Sequence, residues 1–268
     1  MGLRIAIIGM ALVAGCARNA ADPRGPLDRP AEGTPSPMVT APARAVWDLV
    51  ALGDSYTASS YASWPEMYAG FIEEDLGVGV EIHNMAVGGA STGGILDRVR
   101  NEQHLRELLA GAEVITVGMG MGEFRSPIET YARGGGCGGR DNRDCLREAR
   151  ETGMLDFEAL LDELVALRSP DEALIVTFKK GAWPAELFCD WGSRCWTTLA
   201  RYFVDLFDAV EVVARERGVE VIDALGALHA PGVFEAPIDR TYLQADRLHL
   251  SDEGSAVIAG LLRDLGYG

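Results

Sequence analysis

A serine lies far along the chain from a close pair of an aspartate and a histidine, each in company that suits acyl transfer. Ser55 follows an apolar run in "LVALGDSYTAS", Leu49 to Ser59. A hydroxyl that attacks a carbonyl needs a base to take its proton, and the chain has four histidines to choose from. His83 lies in a strand-like run, His104 in a charged helical stretch and His229 in a loop; none has an acid at a useful spacing. His249 does: "ADRLHLSDEG" puts Asp246 three residues ahead of it. One turn can then bring the carboxylate back to Nδ1, fix the tautomer and leave Nε2 for a serine proton. A serine just past a strand also has its N–H at the start of a helix, where the dipole favours an oxyanion. Taken singly, "GDS" reads equally well as a helix cap and Asp-His as a surface pair.

Apolar runs at "AVWDLVALG", "VEIHNMAV", "EVITVGMG", "ALIVTF" and "VEVID" read as buried strands, and helical stretches separate them. These helices are "SWPEMYAGFIEEDLG", with Ser63 and Glu66 at capping-box spacing, then "LDRVRNEQHLRELLAG", "MLDFEALLDELVAL", "TTLARYFVDLFDAVEVVARERG" and "SDEGSAVIAGLLRDLG", with Ser251 as N-cap. The alternation predicts an α/β fold, a three-layer α/β/α sandwich around a five-stranded parallel sheet. Sites in such sheets form where strands end and helices begin, which is where Ser55 falls.

The surroundings narrow the function. The 268 residues carry 24 Lys+Arg against 40 Asp+Glu, a formal charge of −16, so the surface repels nucleic acid. "MGLRIAIIGMALVAGC" is too short to span a membrane and ends on small residues before Cys16, resembling a lipoprotein signal peptide cut ahead of a lipidated cysteine. The chain then divides into a signal peptide at residues 1–15, a Pro/Ala-rich tether at 16–45 and one folded α/β domain at 46–268. Such a protein is held at a membrane surface outside the cytoplasm through lipidated Cys16, and a monomer is expected. Cys137, Cys145, Cys189 and Cys195 remain, an even number that suits disulfides; of three pairings, sequence neighbours are favoured. Their spacings do not suit zinc, and no metal or organic cofactor is implied.

Together these residues resemble the GDSL, or SGNH, family of serine hydrolases, over Val46 to Leu262. "GDSY" matches the first block, which implies Ser55 as nucleophile and its N–H as an oxyanion donor. "NMAVGGAST" matches the second, with Asn84 leading and Gly89 in the place of the oxyanion glycine. "DRLH" matches the last, implying His249 as base and Asp246 as its partner. The family's third block ends G-x-N-D, its asparagine donating to the oxyanion, whereas "EVITVGMGMGEF" aligned without a gap puts Gly122 at the asparagine and Glu123 at the aspartate. Losing one such donor costs about 10²–10³ in rate, unless a backbone N–H of the Gly-rich turn at Gly122, a water or a polar side chain from elsewhere takes its place. Asparagine at 122 is expected to raise turnover if the donor is missing and to lower it strongly if the glycine backbone is needed there.

The resemblance implies a flavodoxin-like fold and an esterase acting on small-molecule, lipid or glycan esters, and the signal-peptide reading puts it outside the cytoplasm. Two other outcomes are carried forward. One is a catalytically impaired lipoprotein that binds a glycan or lipid; the other is a polysaccharide O-acetyl deacetylase. "FKKGAWPAELFCDWGSRCW" gathers Trp183, Phe188, Trp191 and Trp196, which suit the wall of an acyl or sugar pocket or a stapled loop on the core. "DNRD" reads either as a weak cation site or as solvated charge.

Overall fold

The structure, a computed structural model, describes residues 45–180 and 183–268. The signal peptide, Cys16 and the tether lie outside the described residues.

Five strands form one parallel sheet: β1 (Val46–Leu52), β2 (Gly79–Asn84), β3 (Val114–Val117), β4 (Leu174–Phe178) and β5 (Glu220–Ile222). Their order is β2-β1-β3-β4-β5. The chain leaves β1 for β2 on one side, then crosses to β3 on the other. The C-terminal ends of β1 and β3 therefore flank a switch point, where diverging loops leave room for a ligand. Successive residues of a strand face opposite sides. Leu49, Ala51, Val114, Val176 and Phe178 pack with α1 (Trp64–Leu76) and α9 (Asp252–Leu265). Val50, Leu52, Ile115, Val117 and Ile175 pack on the other side with α2 (Thr92–Asn101), α3 (Gln103–Gly111), α4 (Gly122–Gly134), α5 (Asp144–Leu167) and α7 (Arg194–Arg215). Two cores on two faces make the three-layer sandwich that the alternation of runs implied. The register Leu52↔Val117↔Thr177 aligns three strand ends, so their following loops meet.

Several elements differ from the sequence expectation, each for a local reason. "LDRVRNEQHLRELLAG" is two helices, parted at Glu102, which is extended at φ −88°, ψ 103°. The apolar stripe slips phase there. Continuing from Val99 it would fall near 102 and 106, yet the next buried residues are Leu105 and Leu109, and the break re-aims the chain to bury them. α5 starts ten residues before Met154; its charged first half still buries Leu146, Ala149 and Gly153. A Cβ on Gly153 would come within 2.5 Å of the Phe124 ring, so this glycine lets α4 and α5 approach. The stretch that became α4 carries Pro127 inside it and gave no helical signal. Ser63 forms no capping box: its hydroxyl donates to Asp252 Oδ1 at 2.9 Å, tying α1 to α9. Ser251 does cap α9, accepting from the Gly254 N–H at 3.1 Å.

The remaining helices are short: α6 (Trp183–Phe188), α8 (Ala224–Leu228) and a 3₁₀ turn at Arg240–Tyr242. Both disulfides join sequence neighbours, Cys137 to Cys145 and Cys189 to Cys195. Among the described residues no helix is long and apolar enough to cross a membrane.

Candidate active site

A cavity of about 430 Å³ opens at the switch point, and Ser55, Gly89, Gly122 and His249 all line it. Asp246 reaches it through His249.

The loop after the 3₁₀ turn folds back on itself through an antiparallel bridge between Leu243 and Leu250. Gln244 N–H donates to His249 O at 2.8 Å, and the Gln244 amide donates to Tyr61 O and Leu250 O. Arg247 takes a left-handed conformation at φ +63°, turning the chain between the acid and the imidazole. Asp246 Oδ2 then lies 2.5 Å from His249 Nδ1, while Oδ1 accepts the N–H groups of Leu248 and His249 at 3.0 and 3.1 Å. Partial burial opposes ionisation of Asp246, but these backbone donors and the imidazole outweigh it and hold the carboxyl below its ordinary range. The imidazole, only 13% exposed, stacks on Tyr61 with ring centroids 4.3 Å apart. The ring plane and Nδ1 are thus constrained by a tertiary neighbour and a local carboxylate.

Ser55 does not open α1. It sits on a separate turn in which Asp54 O accepts the N–H groups of Thr57 and Ala58, each at 3.1 Å, and α1 begins nine residues later at Trp64. Asp54 is buried and its carboxylate holds the turn: Oδ1 accepts Tyr56 N–H at 3.0 Å and Oδ2 accepts Met121 N–H at 2.9 Å. Asn84, at the end of β2, donates to Thr57 O and Ser59 Oγ at 2.8 Å and braces the same turn from the other side. Gly89 stands at φ +76°, which only glycine adopts easily. Among the described residues neither the Ser55 nor the Gly89 N–H has a protein acceptor, so both are available to a ligand.

Gly122 differs. Its N–H is spent on Ala90 O at 3.0 Å, and the Met121–Ser91 bridge lies beside it. A Cβ here would come within 2.5 Å of Gly89 O and 2.8 Å of Ser91 N. The backbone of the Gly89 loop occupies the space that a side chain would need, which favours the second of the two outcomes expected for asparagine at 122, a loss of turnover because the glycine backbone is needed there. Glu123 does not point to the cavity chemistry either. It accepts Thr92 N–H with both oxygens, at the start of α2, and burial raises its carboxyl above the ordinary range.

Two residues of the site carried no legible signal in the sequence. Lys180, just past β4 and 3% exposed, donates to Asp54 Oδ1 at 3.0 Å and to Met119 O at 2.5 Å. Tyr61, the stacking partner of His249, also lines the cavity. Of the aromatic residues in the fourth-strand loop, Phe188 lines the cavity, but Trp196 packs between Trp191 and Phe234 instead. Pro184, Leu187, Ile128, Phe207 and Leu248 give the rest of the pocket an apolar wall.

The other candidates lie elsewhere. Asp141 and Asp144 of "DNRD" both pair with Arg147, so each already has a cationic partner. Asp48, Glu81 and His83 bring ligand atoms within 4.8 Å of one another on β1 and β2, away from the cavity. His229 is 1% exposed, and burial pulls its pKa down to about 4.

Known proteins share this arrangement of elements. A lipase from a goat rumen metagenome superposes with a TM-score of 0.65 at 22% identity, covering 83% of this chain and 98% of its own. An extracellular lipase from Streptomyces rimosus matches with a TM-score of 0.59 at 17% identity, over 81% of this chain and 99% of its own. A single-substitution variant of an acetyl xylan esterase from Geobacillus stearothermophilus matches with a TM-score of 0.56 at 16% identity, over 84% of this chain and 97% of its own. At such identities the likeness is one of fold. No curated protein sequence matches the chain significantly. The sequence profile of the GDSL-like lipase/acylhydrolase family matches residues 51–257, spanning the Ser55 turn, the Gly89 loop and the Asp246–His249 loop. On that match, which takes in every element of the cavity's polar wall, the chain belongs to the GDSL-like lipase/acylhydrolase family.

Proposed function

We propose that the protein is a serine carboxylic ester hydrolase acting outside the cytoplasm. The observation that carries this reading is the Asp246–His249 pair at 2.5 Å in a cavity that also presents Ser55 and two uncommitted N–H groups. His249 Nε2 takes the Ser55 proton as Ser55 Oγ attacks the ester carbonyl. The negative charge formed on the carbonyl oxygen is received by the N–H groups of Ser55 and Gly89, preorganised on loops that need not move. The imidazolium then protonates the leaving alcohol, and a water activated by His249 hydrolyses the acyl-enzyme. Asp246 keeps the imidazole in its productive tautomer and steadies its positive charge.

The apolar wall of Ile128, Leu187, Phe188, Phe207 and Leu248 supports an acyl group longer than acetyl. Two disulfides support an oxidising compartment, and lipidation at Cys16 would hold the enzyme at a membrane. The committed N–H of Gly122 favours one second reading, a protein of this fold that binds its ester without turnover.

Fluorophosphonate labelling with peptide mapping tests both. The enzyme reading expects modification at Ser55, loss of labelling in Ser55→Ala, and hydrolysis of p-nitrophenyl esters by the wild type. Hydrolysis retained in Ser55→Ala refutes the assignment. A panel of acetyl, butyryl, octanoyl and acetylated-xylan esters then reads the acyl preference.

A further inference from the structure

The proposed mechanism makes no use of the buried cation in the cavity wall, Lys180. Lys180 is 3% exposed and its partner Asp54 is 4% exposed. A buried charge persists only when paired and hydrogen-bonded, so this pair has a structural reason to be complete. Its connections are what matter. Lys180 Nζ donates to Asp54 Oδ1 at 3.0 Å and to Met119 O at 2.5 Å, joining the ends of β4, β1 and β3 at one atom. It also lies 5.3 Å from the centre of the Tyr56 ring.

Asp54 passes the constraint on in two directions. Its Oδ1 accepts Tyr56 N–H, and Ser55 lies between those two residues. Its Oδ2 accepts Met121 N–H, and Met121 pairs with Ser91 while the next residue, Gly122, donates to Ala90 O. One carboxylate thus spans the loop that carries the Ser55 N–H and the loop that abuts Gly89. Gly53 O accepts Val87 N–H at 3.0 Å and ties the first loop to the Gly89 loop directly; the carboxylate adds a second tie through Met121, 67 residues further along the chain. A compact ammonium suits two acceptors on adjacent loops in a way that the planar fork of a guanidinium does not.

We propose that Lys180 is a positioning residue: acting through Asp54, it fixes the distance between the Ser55 and Gly89 N–H groups that receive the oxyanion. This rests on the reading of Ser55 as nucleophile. The effect belongs in the transition state, since these donors meet full charge only there. Misplacement by about 1 Å costs about 10²-fold.

The test compares wild type, Lys180→Met, Lys180→Arg and the Asp54→Asn/Lys180→Met double variant in ester hydrolysis, fluorophosphonate labelling and thermal melting. Lys180→Met is expected to lose about 10²-fold in kcat with KM within about threefold, and to label correspondingly more slowly. Lys180→Arg, keeping the charge without the ammonium geometry, is expected to lose about tenfold. The double variant should lose no more than Lys180→Met, because the two residues act as one unit. A lowered melting temperature with kcat unchanged well below it assigns a merely structural role and overturns the proposal. Should Lys180→Met fail to fold, Lys180→Arg decides alone: wild-type kcat in that protein overturns the proposal. Failure of the nucleophile reading is separate and visible in the wild type, as labelling at a residue other than Ser55.

Discussion

Replacing Gly122 by alanine adds one carbon at the most crowded point of the cavity wall. That carbon would lie 2.5 Å from Gly89 O, 2.8 Å from Ser91 N and 2.9 Å from Ala90 C, all of them backbone atoms. Carbon contacts are comfortable at about 3.5–4.0 Å, so the two loops must part by about 1 Å. The Gly122 N–H bond to Ala90 O, now 3.0 Å, lengthens with them. Overpacking of this kind costs about 1–3 kcal/mol, or about 2–12 °C in melting temperature for a domain of this size. The chemical effect is larger in proportion, because the loop that moves carries the Gly89 donor; about 10²-fold in kcat is expected. Gly111→Ala is the control, since nothing lies within 4 Å of its added carbon. Circular-dichroism melts and p-nitrophenyl ester kinetics on the three proteins provide the comparison. Gly122→Ala with kcat and melting temperature equal to those of Gly111→Ala would refute the argument that the Gly89 loop is packed against this glycine.

Two further outcomes follow from ionisation. Asp246→Asn removes the carboxylate facing His249 Nδ1 and is expected to lower kcat by about 10²-fold or more, with KM little changed, in p-nitrophenyl ester kinetics. Because the Asp246 carboxyl is held low in the fold, its contribution to stability is complete above its ordinary range and is lost only as pH falls through the lower folded value. His229, with a pKa pulled from 6.5 to about 4 by burial, stays neutral in the fold where the unfolded chain would take a proton. Stability should therefore fall as pH drops from 6.5 to 4, by about 3 kcal/mol at the lower limit. Denaturant titrations at pH 7 and pH 4 on wild type and His229→Gln check this. An equal pH dependence in both proteins removes His229 as the cause.

What could be read from the chain depended on how local each interaction is. The central strands were legible because a strand buried on both faces must be apolar throughout: β3 and β4 are buried along their whole length and β1 over its last four residues, whereas the edge strands β2 and β5, though their apolar runs were read as buried, are mostly half-exposed. The Asp246–His249 pair was legible because its spacing of three lets one turn close it. The two disulfides depend on near neighbours in the same way, whereas Gly89 was legible only through the resemblance of "NMAVGGAST" to the family's second block. The errors came where tertiary packing overruled a local pattern. Ser63 matched a capping box, but Asp252, 189 residues away, took its hydroxyl. The apolar phase slip after Val99 split one expected helix into two.

The sequence by itself determined the fold class, the family resemblance and the three residues of the proposed triad, since each is written in a run, a motif or a short spacing. Only the tertiary structure decided what surrounds them. Lys180 meets Asp54 across 126 residues, Tyr61 stacks on His249 from the far end of the chain, and Gly122 faces the backbone of the Gly89 loop. No period or motif encodes those meetings, because they are set by which strand ends the parallel sheet brings side by side. A missing side chain at 122 therefore looks in the sequence like a lost donor; in the fold it is the space in which the Gly89 loop lies.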